Sequence, residues 1–333
     1  NGHVQHTAPF MGGGGGPAGW GGAIAVVPYE MYKIYGDKET FRRYLPKILR
    51  YFDYLDSRSS GGLVCREEEG GWCLGDWCPP EQITICEPFV NTALYVKQMM
   101  MTKEASEAIG ESETAAMLEK RIEEKKQAIL NAYYSPQTGS FIGDAQGANS
   151  FAVDIGLGGE RAFNNTKKKY DAADAFDTGI FGTDILIRVL FERGCADTAF
   201  RLLTSTGKGS FYNMKKQGAT TIWENWDGER SHSHPMFGAV TRYLFSFILG
   251  ITQEKNSAGY EKIVIAPQIP DGLNRASGHI TTVRGEIAVS FVRTEREMDF
   301  YVTVPQKAWF TYGSDCEYEL WEGENHIHID FEE

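Results

Sequence analysis

Two features are scarce in this sequence, and each scarcity excludes a class of protein. No apolar run reaches the roughly 18–20 residues that a membrane-spanning helix needs, so we expect no membrane partner. Basic residues are outnumbered, since 33 Lys and Arg against 45 Asp and Glu give a net charge of −12. A surplus of negative charge disfavours nucleic acid, and a neutral or cationic ligand fits better.

Cysteine is present but lacks the spacing of a metal site. The six cysteines include no Cys-x-x-Cys pair and have no histidine at ligand spacing nearby, so we expect neither a metal nor a cofactor. Four of them lie between residues 65 and 86, where an exported chain could form disulfides, but a chain of 333 residues does not need them for its core. We therefore expect free thiols.

The beginning of the chain lacks the marks of a translation start or a leader. Asn1 follows no initiator Met, charged n-region or apolar h-region, so we expect that a signal peptide or a longer segment preceded it. An extracytoplasmic location, periplasmic or secreted, is favoured. The glycine run at 12–16 predicts a loop, which is either a linker or an active-site loop close to a ligand.

Apolar residues return every three or four positions between residue 20 and residue 249, which predicts helices joined in tight pairs. The secondary structure of residues 160–175 stays undecided, and a loop is predicted for residues 204–233. Long loops carry most of the tryptophans and carboxylates, a pattern typical of an (α/α) toroid, although a helical binding scaffold gives the same periodicity. The predicted helices span 20–36, 38–56, 84–102, 111–134, 143–158, 180–193, 196–203 and 236–249.

Beyond Gly250 the apolar pattern changes to period two. Strands are predicted at 262–266, 286–293, 298–303 and 318–321, with turn signals between them. We therefore divide the chain into a mainly α domain, residues 1–253, and a small β-sandwich-like domain, residues 254–333.

The stretch 218–227, Gly-Ala-Thr-Thr-Ile-Trp-Glu-Asn-Trp-Asp, places a carboxylate between two indoles. A glycoside hydrolase needs a carboxylate to activate water or attack the anomeric carbon, and flat apolar surfaces for the sugar ring. Glu224, between Trp223 and Trp226, offers both. The alternative is that the tryptophans are core and that Glu224 is a solvated surface charge.

Five further motifs occur with this stretch in one order along the chain: Trp20-Gly21, Gly75-Asp76-Trp77, residues 177–183 (Asp-Thr-Gly-Ile-Phe-Gly-Thr), residues 231–238 (Ser-His-Ser-His-Pro-Met-Phe-Gly) and residues 262–272. Over nearly its whole length the chain resembles the α-L-rhamnosidases of glycoside hydrolase family 78. The resemblance implies an (α/α)6 toroid followed by a β domain, and inverting hydrolysis of terminal α-L-rhamnosides.

The resemblance also implies roles for individual residues. Glu224 matches the general base that activates water, and His234 matches a residue lining the sugar subsite, although a histidine beside an aromatic helix often only bonds a carbonyl. Asp177 could instead cap a helix. The candidate substrate-binding residues are Trp20, Asp76, Trp77, Asp177, Trp223, Trp226 and His234.

The chain also departs from the family pattern. The resemblance places the general acid and the first helices of the ring upstream of Asn1, so the toroid is expected to be incomplete at its N-terminal side. Gly22 stands where the family often has Asp, which leaves one sugar contact in doubt. We expect that an isolated chain is not a competent hydrolase by itself. Either the missing segment belongs to a longer natural protein, or the chain aggregates or pairs with a copy of itself as a homodimer. The alternatives are another (α/α)6 hydrolase or lyase, and a non-catalytic carbohydrate-binding fragment.

Overall fold

The computed structural model describes residues 1–7, 19–66, 75–314 and 316–331. The predicted glycine run and Cys73 lie outside the described residues. The chain divides into two compact units, the first made of Asn1–Glu30, Lys38–Val189 and Leu202–Gly238, and the second of Met31–Asp37, Leu190–Arg201 and Ala239–Glu333. Among the described residues, no helix combines the length and the apolar character needed to cross a membrane.

Helices in tightly connected pairs dominate the first part of the chain. They are α1 Ala23–Tyr35, α2 Lys38–Ser57, α3 Glu87–Ala108, α4 Ser112–Tyr133, α5 Ala148–Asp154, α6 Gly159–Ala172, α7 Ile180–Glu192, α8 Ala196–Leu203 and α9 Phe211–Lys216. Two short ribbons accompany them, β1 Ser59–Ser60 with β2 Leu63–Val64, and β3 Tyr134–Ser135 with β4 Ser140–Phe141.

Helical spacing of apolar residues explains the helices that the sequence predicts well. In α2, Phe41, Leu45, Ile48, Phe52 and Leu55 recur at intervals of three or four residues and are all buried. Glycine ends helices where the backbone must turn: Gly110 follows α3 with a φ of 86°, which lets α4 begin two residues later.

The segment 143–158, predicted as one helix, is helical only over α5. Ile142, Asp144 and Gln146 adopt left-handed φ values of 49°, 59° and 47°. Side-chain bonds hold this strained turn, because Gln146 Oε1 accepts the backbone N–H groups of Thr84 at 2.7 Å and Ile85 at 3.0 Å. Tertiary hydrogen bonds therefore override the local helical pattern.

The structure also settles the undecided segment and corrects the predicted loop. The undecided segment 160–175 contains α6, whose buried face includes the polar Thr166 and so gives a weak apolar signal. Within the predicted loop 204–233, α9 begins after Ser210, whose hydroxyl accepts the N–H of Asn213 at 3.1 Å. The helix predicted over 236–249 is present, but its hydrogen-bonding pattern changes along its length. It is 3-10 over Pro235–Val240, α over Thr241–Tyr243 and π over Leu244–Ile248.

The second unit contains two four-stranded sheets. Its strands are β5 Ile251–Gln253, β6 Ile263–Ile265, β7 Arg275–Thr282, β8 Gly285–Arg293, β9 Glu297–Val304, β10 Ala308–Tyr312, β11 Cys316–Leu320 and β12 Gly323–Asp330. One sheet has the order β11-β10-β6-β5, with β10 parallel to β6. The other, β12-β9-β8-β7, is antiparallel throughout.

Alternation of apolar residues builds the core of this unit. Phe291 pairs with Phe300 across β8 and β9, and the Phe300 ring meets the Phe310 ring of the other sheet at 4.9 Å. The sequence pattern missed four strands, β5, β7, β10 and β12, of which β7 and β12 are largely polar. The boundary at residue 254 stays a prediction.

One buried carboxylate joins three helices of the first unit. Asp154 of α5 accepts from Lys97 of α3 at 2.8 Å and from Arg188 of α7 at 2.8 and 2.9 Å, and its side chain is only 2% exposed. Burial alone would raise the pKa of Asp154, but the two cations hold it below its usual value.

We expect Asp154→Asn to lower the free energy of unfolding by about 3 kcal/mol, because two partly buried cations lose their counter-charge while the shape is kept. Denaturant unfolding measures the change. Since the native pKa of Asp154 is depressed, the wild-type advantage is present at neutral pH and shrinks as the pH falls through the carboxyl range. Asp171→Asn, which breaks an exposed pair with Lys167 on α6, is the control and should cost less than about 0.5 kcal/mol. Equal effects of the two variants would contradict the role of Asp154.

Candidate active site

The predicted Trp-Glu-Asn-Trp and Ser-His-Ser-His motifs face each other in one loop. The backbone N–H of Glu224 donates to Ser231 O at 2.8 Å, and that of His234 donates to Ile222 O at 2.9 Å. The hydroxyl of Thr221 also donates to His232 O. The sequence spacing of the two motifs therefore reflects a closed loop that holds Glu224 in place.

Glu224 has a carboxylate fixed by two donors and partly exposed to solvent. Trp77 Nε1 donates to its Oε1 at 3.0 Å, and the backbone N–H of Ser231 points to its Oε2 at 3.4 Å. An oriented carboxylate with access to solvent can bind and polarise a water molecule. Trp77 and Glu224 thus meet as predicted, although they lie 147 positions apart in the sequence.

Asp76 lies at the N-terminus of α7 and is completely buried. Its Oδ2 accepts the N–H of Gly179 at 2.7 Å, and its Oδ1 accepts those of Gly182 at 3.0 Å and Phe181 at 3.1 Å. These bonds satisfy free N–H groups of the helix end. Burial raises the pKa of Asp76 to about 7, against the lowering effect of the three N–H groups.

The prediction that Asp76 contacts the sugar is therefore corrected, because both of its oxygens are engaged and enclosed. Gly179 and Gly182 permit this arrangement: a Cβ on Gly179 would lie 2.3 Å from Trp77 O, and a Cβ on Gly182 would lie 2.6 Å from Asp76 Oδ2. Asp76 is a positioning residue that places Trp77 next to the helix.

Asp177 differs from Asp76 in exposure and partners. Its Oδ1 accepts from the Tyr170 hydroxyl at 2.6 Å, its Oδ2 pairs with Lys169 at 2.7 Å, and 40% of the side chain is exposed. The N–H groups of Gly179, Phe181 and Gly182 bond Asp76, so the alternative of Asp177 as their cap is wrong. Its role as a sugar contact stays a prediction.

Two of the predicted sugar-stacking tryptophans are core residues. Trp226 is 2% exposed, donates from Nε1 to Thr178 O at 3.1 Å, and stacks on Phe176 with centroids 5.5 Å apart. Trp223 is 6% exposed, and His232 lies parallel to its ring at 4.5 Å. Neither indole offers a free face, so the prediction of both as substrate-binding residues is corrected.

Trp20 and Trp77 remain partly exposed. Trp20 packs on Phe181 of α7 at 4.6 Å, next to the Asp76 bonds, and the Arg230 guanidinium lies 4.8 Å above the Trp77 ring. Both tryptophans therefore lie at the N-terminus of α7, and Trp77 also reaches Glu224. Their contact with sugar stays a prediction.

His234 is partly buried, and its Nε2 has no hydrogen-bond partner among the described residues. An enclosed imidazole nitrogen without a partner is typical of a position that bonds a ligand or a water molecule. This observation agrees with the predicted subsite role and not with the alternative of a satisfied structural histidine.

Sequence reasoning missed Cys78 and Asn225. The thiol of Cys78 donates to Asn225 Oδ1 at 3.2 Å, and Cys78 adopts a left-handed φ of 59°. Burial and the charge of Glu224 raise the pKa of Cys78 to about 12, so the thiol stays protonated and links the two loops. Their only sequence signal is that they directly follow Trp77 and Glu224. The other cysteines in the described ranges, Cys65, Cys86, Cys195 and Cys316, are reduced as well.

Comparison with known proteins assigns the chain to a family. Residues 1–248 match the family described as the bacterial α-L-rhamnosidase six-hairpin glycosidase domain, and residues 250–310 match the bacterial α-L-rhamnosidase C-terminal domain. The chain belongs to the bacterial α-L-rhamnosidase family. The predicted fold class, a helical six-hairpin domain followed by a β-sheet domain, is thus confirmed.

Individual relatives show how much of the family protein the chain represents. An α-L-rhamnosidase of Alteromonas sp. (strain LOR) is 26% identical over 314 residues, which cover 86% of this chain and 33% of the relative. One from Streptomyces avermitilis is 28% identical over 305 residues, covering 86% and 28%. The chain therefore spans about a third of the length of these relatives.

Solved structures of the family share the fold. The Streptomyces avermitilis α-L-rhamnosidase complexed with L-rhamnose superposes with a TM-score of 0.81 at 22% identity, over 93% of this chain and 33% of that one. The native Aspergillus terreus enzyme gives a TM-score of 0.84 at 20% identity, over 93% and 39%.

We expect Asp76→Ala to lower the free energy of unfolding by about 3 kcal/mol, because three buried N–H groups lose their acceptor. Denaturant unfolding tests this, with the exposed Asp174→Ala as the control. The folded pKa of about 7 exceeds the ordinary 3.8, so the contribution of Asp76 is complete below about pH 4 and declines as the pH rises to about 7. The difference between wild type and variant should therefore be larger at pH 5 than at pH 8. The opposite trend would contradict the assignment.

Proposed function

We propose that this chain supplies the general-base side of an inverting α-L-rhamnosidase, with Glu224 as the base. The observation that carries the proposal is the Glu224 carboxylate, oriented by Trp77 Nε1 and the Ser231 N–H and still accessible to solvent. L-Rhamnose is the ligand of the related Streptomyces avermitilis structure, which supports a rhamnoside as the substrate.

In the proposed reaction, Glu224 removes a proton from a water molecule as that water attacks the anomeric carbon. An acid on the opposite side of the sugar protonates the leaving oxygen, and the two carboxyl groups stand about 6.5–9.5 Å apart to admit the water. The attack inverts the configuration, so an α-rhamnoside gives β-rhamnose.

The general acid is proposed to come from a segment upstream of this chain. Two nearby carboxylates are poor substitutes, since Asp76 is enclosed by backbone N–H groups and Asp177 is engaged by Lys169 and Tyr170. The chain spans about a third of its relatives, which leaves room for an acid in the remaining sequence.

Trp77 is proposed to act in two ways. Its Nε1–H fixes the orientation of the Glu224 carboxylate, and its ring offers an apolar surface, one face of which lies under Arg230. His234 lies on the same loop as Glu224, and its unpartnered Nε2 is proposed to bond a sugar hydroxyl.

A second candidate function follows from the length of the chain. With about a third of the family protein present, the chain by itself could bind rhamnosides without cleaving them. Incubation of the purified chain, and of a longer natural protein containing it, with p-nitrophenyl α-L-rhamnoside and a panel of other aryl glycosides separates the possibilities. Rhamnose release supports the proposed enzyme, release of another sugar supports a different hydrolase, and binding without turnover supports the binding fragment.

In the longer protein, we expect Glu224→Gln to lower kcat by about 10²–10⁴-fold with little change in stability, because the base is lost and the shape is kept. Glu224→Ala with added azide tests the role directly. Azide needs no deprotonation and can take the place of the attacking water, so turnover should recover and yield β-rhamnosyl azide. Full activity of Glu224→Gln, or an azide product of α configuration, would remove Glu224 as an inverting base.

Replacement of Trp77 separates orientation of the base from packing. Trp77→Phe keeps an aromatic ring but removes the donor to Glu224, so we expect kcat to fall by about tenfold while the unfolding midpoint changes little. Trp226→Phe is the matched control, since its indole lies in the core: it should lower stability and leave kcat unchanged. If both variants changed only stability, the orienting bond would have no catalytic role.

A further inference from the structure

The outward face of the sheet β12-β9-β8-β7 carries a ladder of polar residues outside the predicted sugar site. The strand register pairs Asp330 with Glu297, His328 with Asp299, and His326 with Tyr301. The residues between them along the strands, such as Met298, Phe300 and Ile327, are buried in the core. Alternation therefore places two histidines and three carboxylates side by side on the solvent face.

Asp299 is at the centre of this ladder. Its Oδ1 lies 2.9 Å from His328 Nδ1 and 2.7 Å from His326 Nε2, and the His326 ring stacks on Tyr301 at 4.8 Å and 9°. The bond to Asp299 fixes the orientation of the His328 ring and favours the tautomer that carries the proton on Nδ1.

The other nitrogen of His328 faces a second carboxylate. His328 Nε2 lies 3.2 Å from Asp330 Oδ1. A neutral imidazole has only one N–H, so with Nδ1 donating to Asp299 the Nε2 lone pair would point at an anion. A carboxylate oxygen therefore faces each ring nitrogen of His328, an arrangement that favours an added positive charge.

A metal ion can supply that charge as well as a proton can. Ligand atoms of Glu297, His328 and Asp330 all lie within 4.8 Å of one another. Zinc bonds nitrogen and oxygen ligands at about 2.0–2.2 Å, which corresponds to ligand separations of about 3.4 Å in a tetrahedron. The three side chains are at the surface, so small side-chain rotations bring the ligand atoms from within 4.8 Å of one another to this separation.

We propose that Glu297, His328 and Asp330 bind a divalent first-row transition-metal ion of the zinc class, with Asp299 orienting His328 from behind. Imidazole combined with carboxylates suits Zn²⁺, whereas Mg²⁺ and Ca²⁺ prefer oxygen ligands alone. A carboxylate behind a metal-bound histidine is the usual arrangement in such sites. The ion would join β9 to β12 and is independent of the proposed hydrolysis.

Isothermal titration of the protein with Zn²⁺ tests the proposal. We expect saturable binding, at least tenfold weaker in His328→Asn and in the Glu297→Gln/Asp330→Asn double variant. Asp299→Asn should weaken binding about tenfold through loss of orientation alone. His279→Asn changes another exposed histidine on the same face, in β7, and should bind as wild type does.

Two further measurements separate this site from other zinc-binding groups. Co²⁺ bound here should give visible d–d bands without a sulfur-to-cobalt charge-transfer band, which a cysteine site would show. Because protons compete for His328, affinity should fall as the pH drops below neutrality. Zn²⁺ should also raise the unfolding midpoint of wild type more than that of His328→Asn. Equal binding by wild type and His328→Asn, a cobalt–thiolate band, or the absence of saturable binding would overturn the proposal.

Discussion

The candidate site depends on the hydrogen bonds between the Asp76 carboxylate and three backbone N–H groups at the N-terminus of α7. They hold the loop that carries Trp77 against the helix, and the Trp77 indole in turn orients Glu224. Gly179 and Gly182 are required because any side chain there would meet the loop backbone or the carboxylate. A buried carboxyl group at a helix end thus sets the position of Glu224, the group that is proposed to act as the base.

The sequence predicted which residues form this site but not the role of each one. Glu224 and Trp77 meet as predicted, and His234 lies on the same loop with an unpartnered nitrogen. The stretch 218–227 could not tell which indole faces the core, because Trp226 is enclosed by three rings outside the stretch, those of Phe176, Phe211 and Phe237. Likewise, Asp76 and Asp177 both stand beside glycine, and only the three-dimensional contacts show which one bonds the helix end.

The fold was predictable where one apolar periodicity dominates, as in α2 and α8. It was not predictable where side chains form hydrogen bonds with backbone groups that are distant in the sequence. Gln146 illustrates the second case, since its amide oxygen bonds Thr84 and Ile85 while its own backbone is left-handed. The His-Ile-His-Ile-Asp alternation at 326–330 has none of the cysteine spacing that marks a metal site in a sequence. Its partners Glu297 and Asp299 become visible only through the register of β9 with β12.

The ionic contacts of Asp154 have a consequence for the motions of the helical unit. Lys97, Asp154 and Arg188 belong to three successive helix pairs, so no one of these pairs can separate from the others without exposing an unbalanced charge. Slow amide hydrogen exchange in α3, α5 and α7 should therefore proceed through one shared opening.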